Sequence, residues 1–172
     1  KAQLFDLATC AFIERHENVL VYGPTGVGKS HVSQALAHEA CRRGHEVLFI
    51  TTTKMLTHLA GGRADGTHEQ RLARYTRPAL LVLDDFGLKA LRPPGPEDLY
   101  DVINERYERA SIILTSNRDR SEWPELFGEA LLASAALDRL THAAHFVEIT
   151  GPSLRAEATK KQITTRRARA AN

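Results

Sequence analysis

Eight consecutive residues, Gly23-Pro24-Thr25-Gly26-Val27-Gly28-Lys29-Ser30, fit the pattern G-x-x-x-x-G-K-[ST] without a mismatch. A glycine-rich loop of this kind turns successive backbone N–H groups toward one point. Where it opens a helix, the helix dipole adds to the attraction for an anion. The lysine of such a loop reaches the β- and γ-phosphates of a nucleotide, and the following hydroxyl ligates Mg²⁺. Those roles fall to Lys29 and Ser30, and the neighbouring His31 joins the loop residues as a candidate nucleotide contact. A second group follows the apolar run Leu80-Leu81-Val82-Leu83, which ends in Asp84-Asp85. Carboxylates there sit at the C-terminal edge of a strand, where open α/β sheets bind ligands. Asp84 would hold Mg²⁺, directly or through water, and Asp85 would orient or deprotonate an attacking water. Thr115-Ser116-Asn117 closes another apolar run in the same way, and the Asn117 amide can bridge that water and the γ-phosphate.

Each group has a plainer account. Two acids can be a solvated strand end, and Ser-Asn-Arg is also an ordinary turn. Their order behind a phosphate loop favours nucleotide hydrolysis. Arg139, in Leu137-Asp138-Arg139-Leu140, is flanked by core-like residues. It either pairs with Asp138 or an acid of the adjacent helix, or supplies transition-state charge to a neighbouring subunit. Arg155, in Gly151-Pro152-Ser153-Leu154-Arg155, is either a nucleotide-sensing residue or a surface residue of the tail. The eight histidines show no metal-ligand spacing, and Trp123 with Pro124 and Phe127 reads as local packing.

The elements that must carry these residues are legible from hydrophobic period. Apolar residues at helical spacing predict a helix over 4–16. Residues 19–22 form an apolar, β-branched run that reads as a buried strand feeding the loop, and a helix is expected over 30–43, closed by Gly44. A second strand is expected at 47–50, then a short helix over 54–60 that Gly61-Gly62 breaks, then a helix over 67–75. The third strand falls at 79–83, a stiff Pro-rich loop at 91–96, and an amphipathic helix over 97–109 with Leu99, Val102, Ile103 and Tyr107 inward. Strand four is expected at 112–115, a helix over 130–140, and strand five at 146–149. Near-continuous apolar strands alternating with helices predict an α/β fold, a five-stranded parallel sheet flanked by helices.

The 172 residues suit one domain, with 42% apolar and 26% charged residues. No apolar run approaches the roughly 18 residues of a membrane span, no secretory signal is visible, and a cytoplasmic location is expected. Cys10 and Cys41 lack metal spacing and are expected to be buried thiols. The net charge of +2 hides an asymmetry: residues 155–172 hold six basic residues against Glu157, leaving residues 1–154 at −3. A basic tail, expected to be flexible, is either a nucleic-acid arm or a solvated end.

Taken in order, Gly-Pro-Thr-Gly-Val-Gly-Lys-Ser, Val-Leu-Asp-Asp-Phe-Gly, Leu-Thr-Ser-Asn, Leu-Asp-Arg-Leu and Gly-x-Ser-x-Arg resemble the IstB-like transposition helper ATPases. These are relatives of the DnaC helicase loaders in the AAA+ initiator clade. Residues 58–87, with Gly61-Gly62-Arg63-Ala64-Asp65-Gly66-Thr67, are similar to these proteins as well. The resemblance implies a P-loop AAA+ core over 1–154 without a C-terminal helical lid, ATP and ADP as ligands with Mg²⁺, and Asp85 where most AAA+ proteins have Glu. It implies Asn117 as sensor 1, Arg139 as an arginine finger acting in trans, and Arg155 as a sensor 2 candidate. It also implies self-association into an ATP-dependent oligomer, double-stranded DNA and a transposase as partners, and a helix after strand two, with Lys54 and Arg63, facing DNA. Arg71 and Arg74 could add phosphate contacts, and the plainer account makes all four, Lys54 and Arg63 included, solvated surface charges. A DnaC-like helicase loader acting on single-stranded DNA is the alternative; a small-molecule kinase and a non-hydrolysing scaffold are more distant ones. Two departures stand out: the first residue is Lys1, so an N-terminal segment typical of the family is expected to be missing, and Arg118-Asp119-Arg120 stands where relatives often have Leu-Pro-Phe.

Overall fold

A computed structural model describes residues 2–154. Arg155, the basic tail and the expectation about a lid lie outside the described residues. The elements run α1 (Ala2–Leu7), α2 (Ala11–Glu14), β1 (Asn18–Tyr22), α3 (Lys29–Arg42), β2 (Val47–Thr51), α4 (Thr52–Asp65), α5 (His68–Thr76), β3 (Leu80–Phe86), α6 (Gly95–Arg106), β4 (Ser111–Ser116), α7 (Ala130–Thr141) and β5 (Ala144–Glu148). The five strands form one parallel sheet in the order β2-β3-β4-β1-β5.

Strand alternation divides the core in two. Leu20, Leu81, Leu83, Ile112 and Leu114 face α4, α6 and α7, where Met55, Leu59, Leu99, Val102, Ile103, Ala133, Ala136 and Leu140 cover them. Val19, Val21, Leu80, Val82, Ile113 and Val147 face the other way, against Leu7, Phe12, Ile13, Leu36, Ala37 and Ala40 of the first three helices. With both faces covered, no strand needs a polar side, which is why the strands read as unbroken apolar runs.

Several boundaries differ from the sequence reading, each for a local reason. The expected helix over 4–16 breaks at Cys10, which has φ +62. There the Thr9 hydroxyl donates to the Asp6 carbonyl and accepts from the Ala11 N–H, replacing helical bonds with a local turn. Gly61-Gly62 does not break α4, which runs on to Asp65. The two glycines let α5 pack close: a Cβ on Gly62 would press on the His68 backbone at 2.9 Å, and one on Gly61 would meet the Arg71 guanidinium at 2.6 Å. α6 ends at Arg106, so Tyr107 caps the helix instead of facing inward. Cys10 is buried but Cys41 is exposed, because it sits on the solvent side of α3 beside the buried Ala40.

The buried Arg106 adds polar ties between elements that share the apolar core. Its guanidinium donates to the carbonyls of Tyr75 (2.9 Å), Pro78 (2.9 Å) and Ser111 (2.6 Å), closing the link from α5 into β3 and the start of β4. Burial pulls its pKa down to about 10. Arg106→Met leaves these buried carbonyls without donors. It is expected to cost about 3 kcal/mol or more of stability in urea unfolding; a loss under about 1 kcal/mol would show that water replaces the guanidinium.

Candidate nucleotide site

The phosphate loop follows β1 and opens α3, as its glycines require. A Cβ on Gly26, where φ is +85, would overlap the Ser153 hydroxyl. Lys29 is 6% exposed, and its ammonium donates to the carbonyls of Gly23 (2.8 Å) and Pro24 (2.7 Å), so the charge lies across the loop. A cavity of about 410 Å³ opens in front, lined by Thr25, Gly26, Gly28, Lys29, Ser30, His31, Gln34, Asp85, Asn117 and Leu154. Of the candidate loop residues, Gly23, Pro24 and Val27 shape the loop without lining the cavity, and Val27 is buried.

Asp84 stands at the mouth of the sheet, 7% exposed. Its Oδ1 accepts from the Ser30 hydroxyl at 3.0 Å and from the Thr115 hydroxyl. Ser30 and Asp84 are therefore together, and an oxygen-only donor pair beside a phosphate loop suits Mg²⁺. Asp85 takes φ +58 and lines the cavity with Asn117. Side chains separated by more than 80 residues of chain, from Lys29 to Asn117, thus meet in one concave site. β3 continues through both acids, beyond the expected end at Leu83.

The site has members the sequence reading missed. Gln34 lies one helical turn beyond Ser30, a spacing that could have found it. Thr115 reads in the sequence as the last residue of strand four, with the chemical role assigned to Asn117. Ser153 and Leu154 come back over the loop after β5, with the Leu154 N–H donating to the Gly26 carbonyl at 2.9 Å. No local pattern signals that return. In the unusual segment after Asn117, Arg118 Nε donates to the Gly87 carbonyl at 2.6 Å, and the Arg120 guanidinium stacks 4.2 Å from the Phe146 ring centre.

Arg139 lies elsewhere. It belongs to the last turn of α7, and the Asn18 amide at the start of β1 donates to the carbonyl of the next residue, Leu140, at 3.0 Å. The phosphate loop leaves the other end of β1. At about 3.3 Å per residue the strand alone spans roughly 13 Å. Arg139 and Lys29 therefore occupy opposite ends of the sheet. The Arg139 guanidinium donates to the Ala135 carbonyl and lies 5.4 Å from the Tyr100 ring centre. It forms no ion pair among the described residues, so neither Asp138 nor an acid of a neighbouring helix holds it. It lines a separate cavity of about 180 Å³ with Arg15, His16, Tyr107 and His142.

The four candidate DNA contacts divide into two pairs. Arg63 donates to the buried Asp98 carboxylate from Nε (2.9 Å) and a terminal nitrogen (2.6 Å). His68 and Asp101 complete that cluster, which the sequence spacing of the histidines does not reveal. Arg71 is held by Asp65, the Thr67 hydroxyl and the His58 carbonyl. Lys54 and Arg74 are exposed and form no ion pair among the described residues.

A parallel sheet whose first strand runs through a Gly-Lys-Ser loop into a helix, with two acids at the same edge on β3, one strand beyond its neighbour β4, defines a P-loop nucleotide-binding domain. The chain belongs to the IstB-like ATP-binding protein family, whose description matches residues 1–162. It is 43% identical over 155 residues to an insertion-sequence ATP-binding protein of Mycobacterium tuberculosis, covering 90% of this chain and 62% of that one. It is 38% identical over 156 residues to the IS21 ATP-binding protein of Pseudomonas aeruginosa, covering 91% and 59%. The chain thus spans about three-fifths of the length of these relatives. Among solved structures it is similar to the DnaC helicase loader, with TM-score 0.71 and 19% identity over 87% of each chain. It is also similar to a DnaA replication initiator bound to AMPPCP and single-stranded DNA, with TM-score 0.67 and 22% identity over 94% of this chain and 50% of that one. At such identities the likeness is one of fold, the AAA+ fold that the resemblance implies. No helix among the described residues is long and apolar enough to cross a membrane.

Proposed function

We propose that this chain is the ATP-hydrolysing core of a transposition helper, which assembles on target DNA with ATP and presents that DNA to a transposase. The observation that carries the hydrolytic part is the meeting of Lys29, Ser30, Asp85 and Asn117 at one cavity, with Asp84 bonded to Ser30 just behind it. Lys29 would leave its loop carbonyls for the phosphates. Ser30 and Asp84 would hold Mg²⁺, which supplies charge neutralisation on the phosphate oxygens. Asp85 would take the proton of the attacking water, and Asn117 would orient that water against the γ-phosphate. Arg139 lies at the far end and forms no ion pair among the described residues, which supports completion of each site by a second copy, so hydrolysis would loosen the interface between copies. The names of the relatives favour transposition over helicase loading, since they belong to insertion sequences.

DNA contact falls to Lys54 and Arg74 in this reading, with Arg63 and Arg71 orienting α4 and α5 through their ion pairs. The test is association with double-stranded DNA at several salt concentrations, with ATP, a non-hydrolysable analogue, or ADP. Tight association with ATP and the analogue and weak association with ADP are expected, and affinity indifferent to nucleotide would overturn the assembly reading. Lys54→Ala with Arg74→Ala is expected to lower the slope of log affinity against log salt by about 1.8, at about 0.9 per lost phosphate contact. An unchanged slope would remove both residues from the DNA face.

A further inference from the structure

β3 and β4 pair in regular register from Leu80 opposite Ser111 to Leu83 opposite Leu114, then resume with Phe86 opposite Ser116. Two residues of β3, Asp84 and Asp85, therefore stand opposite one residue of β4, Thr115. This is a β-bulge, a device rare in parallel pairs and frequent beside active sites. The side chains record the extra residue. Leu81 and Leu83 face the core under α4, α6 and α7, and unbroken alternation would send Asp85 into that core and Phe86 to the opposite face. Instead Phe86 packs with Leu83, edge-on to Trp123, and Asp85 lines the nucleotide cavity. The bulge is what places a second carboxylate at the site.

A bulge interrupts the ladder, and here one side chain takes up the loose ends. The Thr115 hydroxyl accepts from the Asp85 N–H at 3.0 Å and donates to Asp84 Oδ1. A hydroxyl has one proton and two lone pairs, so both bonds can exist together. The same Asp84 oxygen accepts from Ser30, and Thr115 is 1% exposed, so water does not compete. We propose that Thr115 is a positioning residue for hydrolysis: its hydroxyl indexes Asp84 to Asp85 across the bulge and holds Asp85 in its left-handed conformation, facing the nucleotide. This rests on the hydrolytic reading above. The neighbouring ties do not depend on Thr115. Ser116 Oγ donates to the Phe86 carbonyl at 2.9 Å and Arg118 Nε to the Gly87 carbonyl, so the two loops stay joined without its hydroxyl.

Thr115→Val keeps the shape of the side chain and deletes the hydroxyl, and Thr115→Ser does the reverse. Steady-state ATP turnover of the full chain is expected to fall about 100-fold in kcat for Thr115→Val, the scale of a misplaced general base, while Thr115→Ser keeps most of the activity. Turnover of Thr115→Val within about threefold of the unmodified chain would overturn the proposal, as would an equal loss in Thr115→Ser, which would point to methyl packing. Should Thr115→Val fail to fold, Thr115→Ala against Thr115→Ser isolates the hydroxyl, since both lack the methyl; equal turnover in that pair would overturn it. If the unmodified chain binds ATP without turning it over, the hydrolytic reading fails on its own. The role of Thr115 is then read from how Mg²⁺ tightens ADP binding. Loss of that tightening in Thr115→Val and its retention in Thr115→Ser would support the indexing of Asp84, and equal tightening in all three would overturn it.

Discussion

Lys29→Ala is expected to weaken ATP and ADP affinity by at least about 100-fold, roughly 2.8 kcal/mol at 1.4 kcal/mol per decade. The ammonium is nearly buried and bonded to two carbonyls of its own loop, so it is held within the phosphate cradle before any ligand arrives. Its removal takes away the one lysine charge lining the cavity among the described residues. The backbone N–H groups and the α3 dipole remain, and a helix N-terminus alone contributes about 0.3–1 kcal/mol to holding an anion. That residue of attraction is too small to retain a nucleotide at micromolar concentration. Equilibrium binding of a fluorescent nucleotide, read with the thermal unfolding midpoint, separates the two roles the lysine could have. A purely structural lysine would lower the midpoint and leave affinity unchanged, and that result would sink the phosphate-loop assignment.

Arg139→Ala is expected to act on turnover alone, reducing it about 1,000-fold while nucleotide affinity of the isolated chain stays within about twofold, as for arginines that act across an interface. The geometry gives the reason. Arg139 lies at the strand N-termini and the phosphate loop at the strand C-termini, so the side chain cannot serve its own site. Its stacking near Tyr100 and Tyr107 contributes on the order of 0.5–1 kcal/mol per ring, so a small drop in stability accompanies the change. Mixing is the decisive measurement. Asp85→Asn protein has a damaged site and an intact Arg139; Arg139→Ala protein has the converse. Mixed assemblies contain interfaces where an intact site meets an intact arginine, so activity is expected to return on mixing. If two inactive proteins stay inactive together while still associating, Arg139 does not act in trans.

The strength of the phosphate-loop reading comes from locality. Residues 23–30 and the helix they open are contiguous, and their glycines and lysine are demanded by the backbone itself, so no distant contact is needed to see them. Asp84, Asp85 and Asn117 were also legible, because parallel strands bring their C-terminal ends to one edge whatever their order. Glycine misled at α4. Gly61-Gly62 has the composition of a break, yet the helix persists because α5 packs onto it closely enough to exclude a Cβ, a contact invisible to local propensity. Charge misled in a related way. Arg63 and Arg71 look like free cations along the chain, and only the packing of α4, α5 and α6 shows that Asp98 and Asp65 already hold them.

From the sequence alone came the fold class, the nucleotide-binding loop and the identity of the acids, because each depends on residue type at short range: hydrophobic period, glycine conformational freedom and the chemistry of a Lys-Ser pair. Tertiary structure decided three further things. It put Arg139 at the end of the sheet away from Lys29, turned the Ser153-Leu154 segment back over the loop, and made a bulge at Asp84-Asp85 opposite Thr115. These are properties of strand register and of where chain ends meet in space. A strand with one extra residue reads the same as a regular one until its partner is known, and the partner of β3 across the bulge, β4, lies about 30 residues further along the chain.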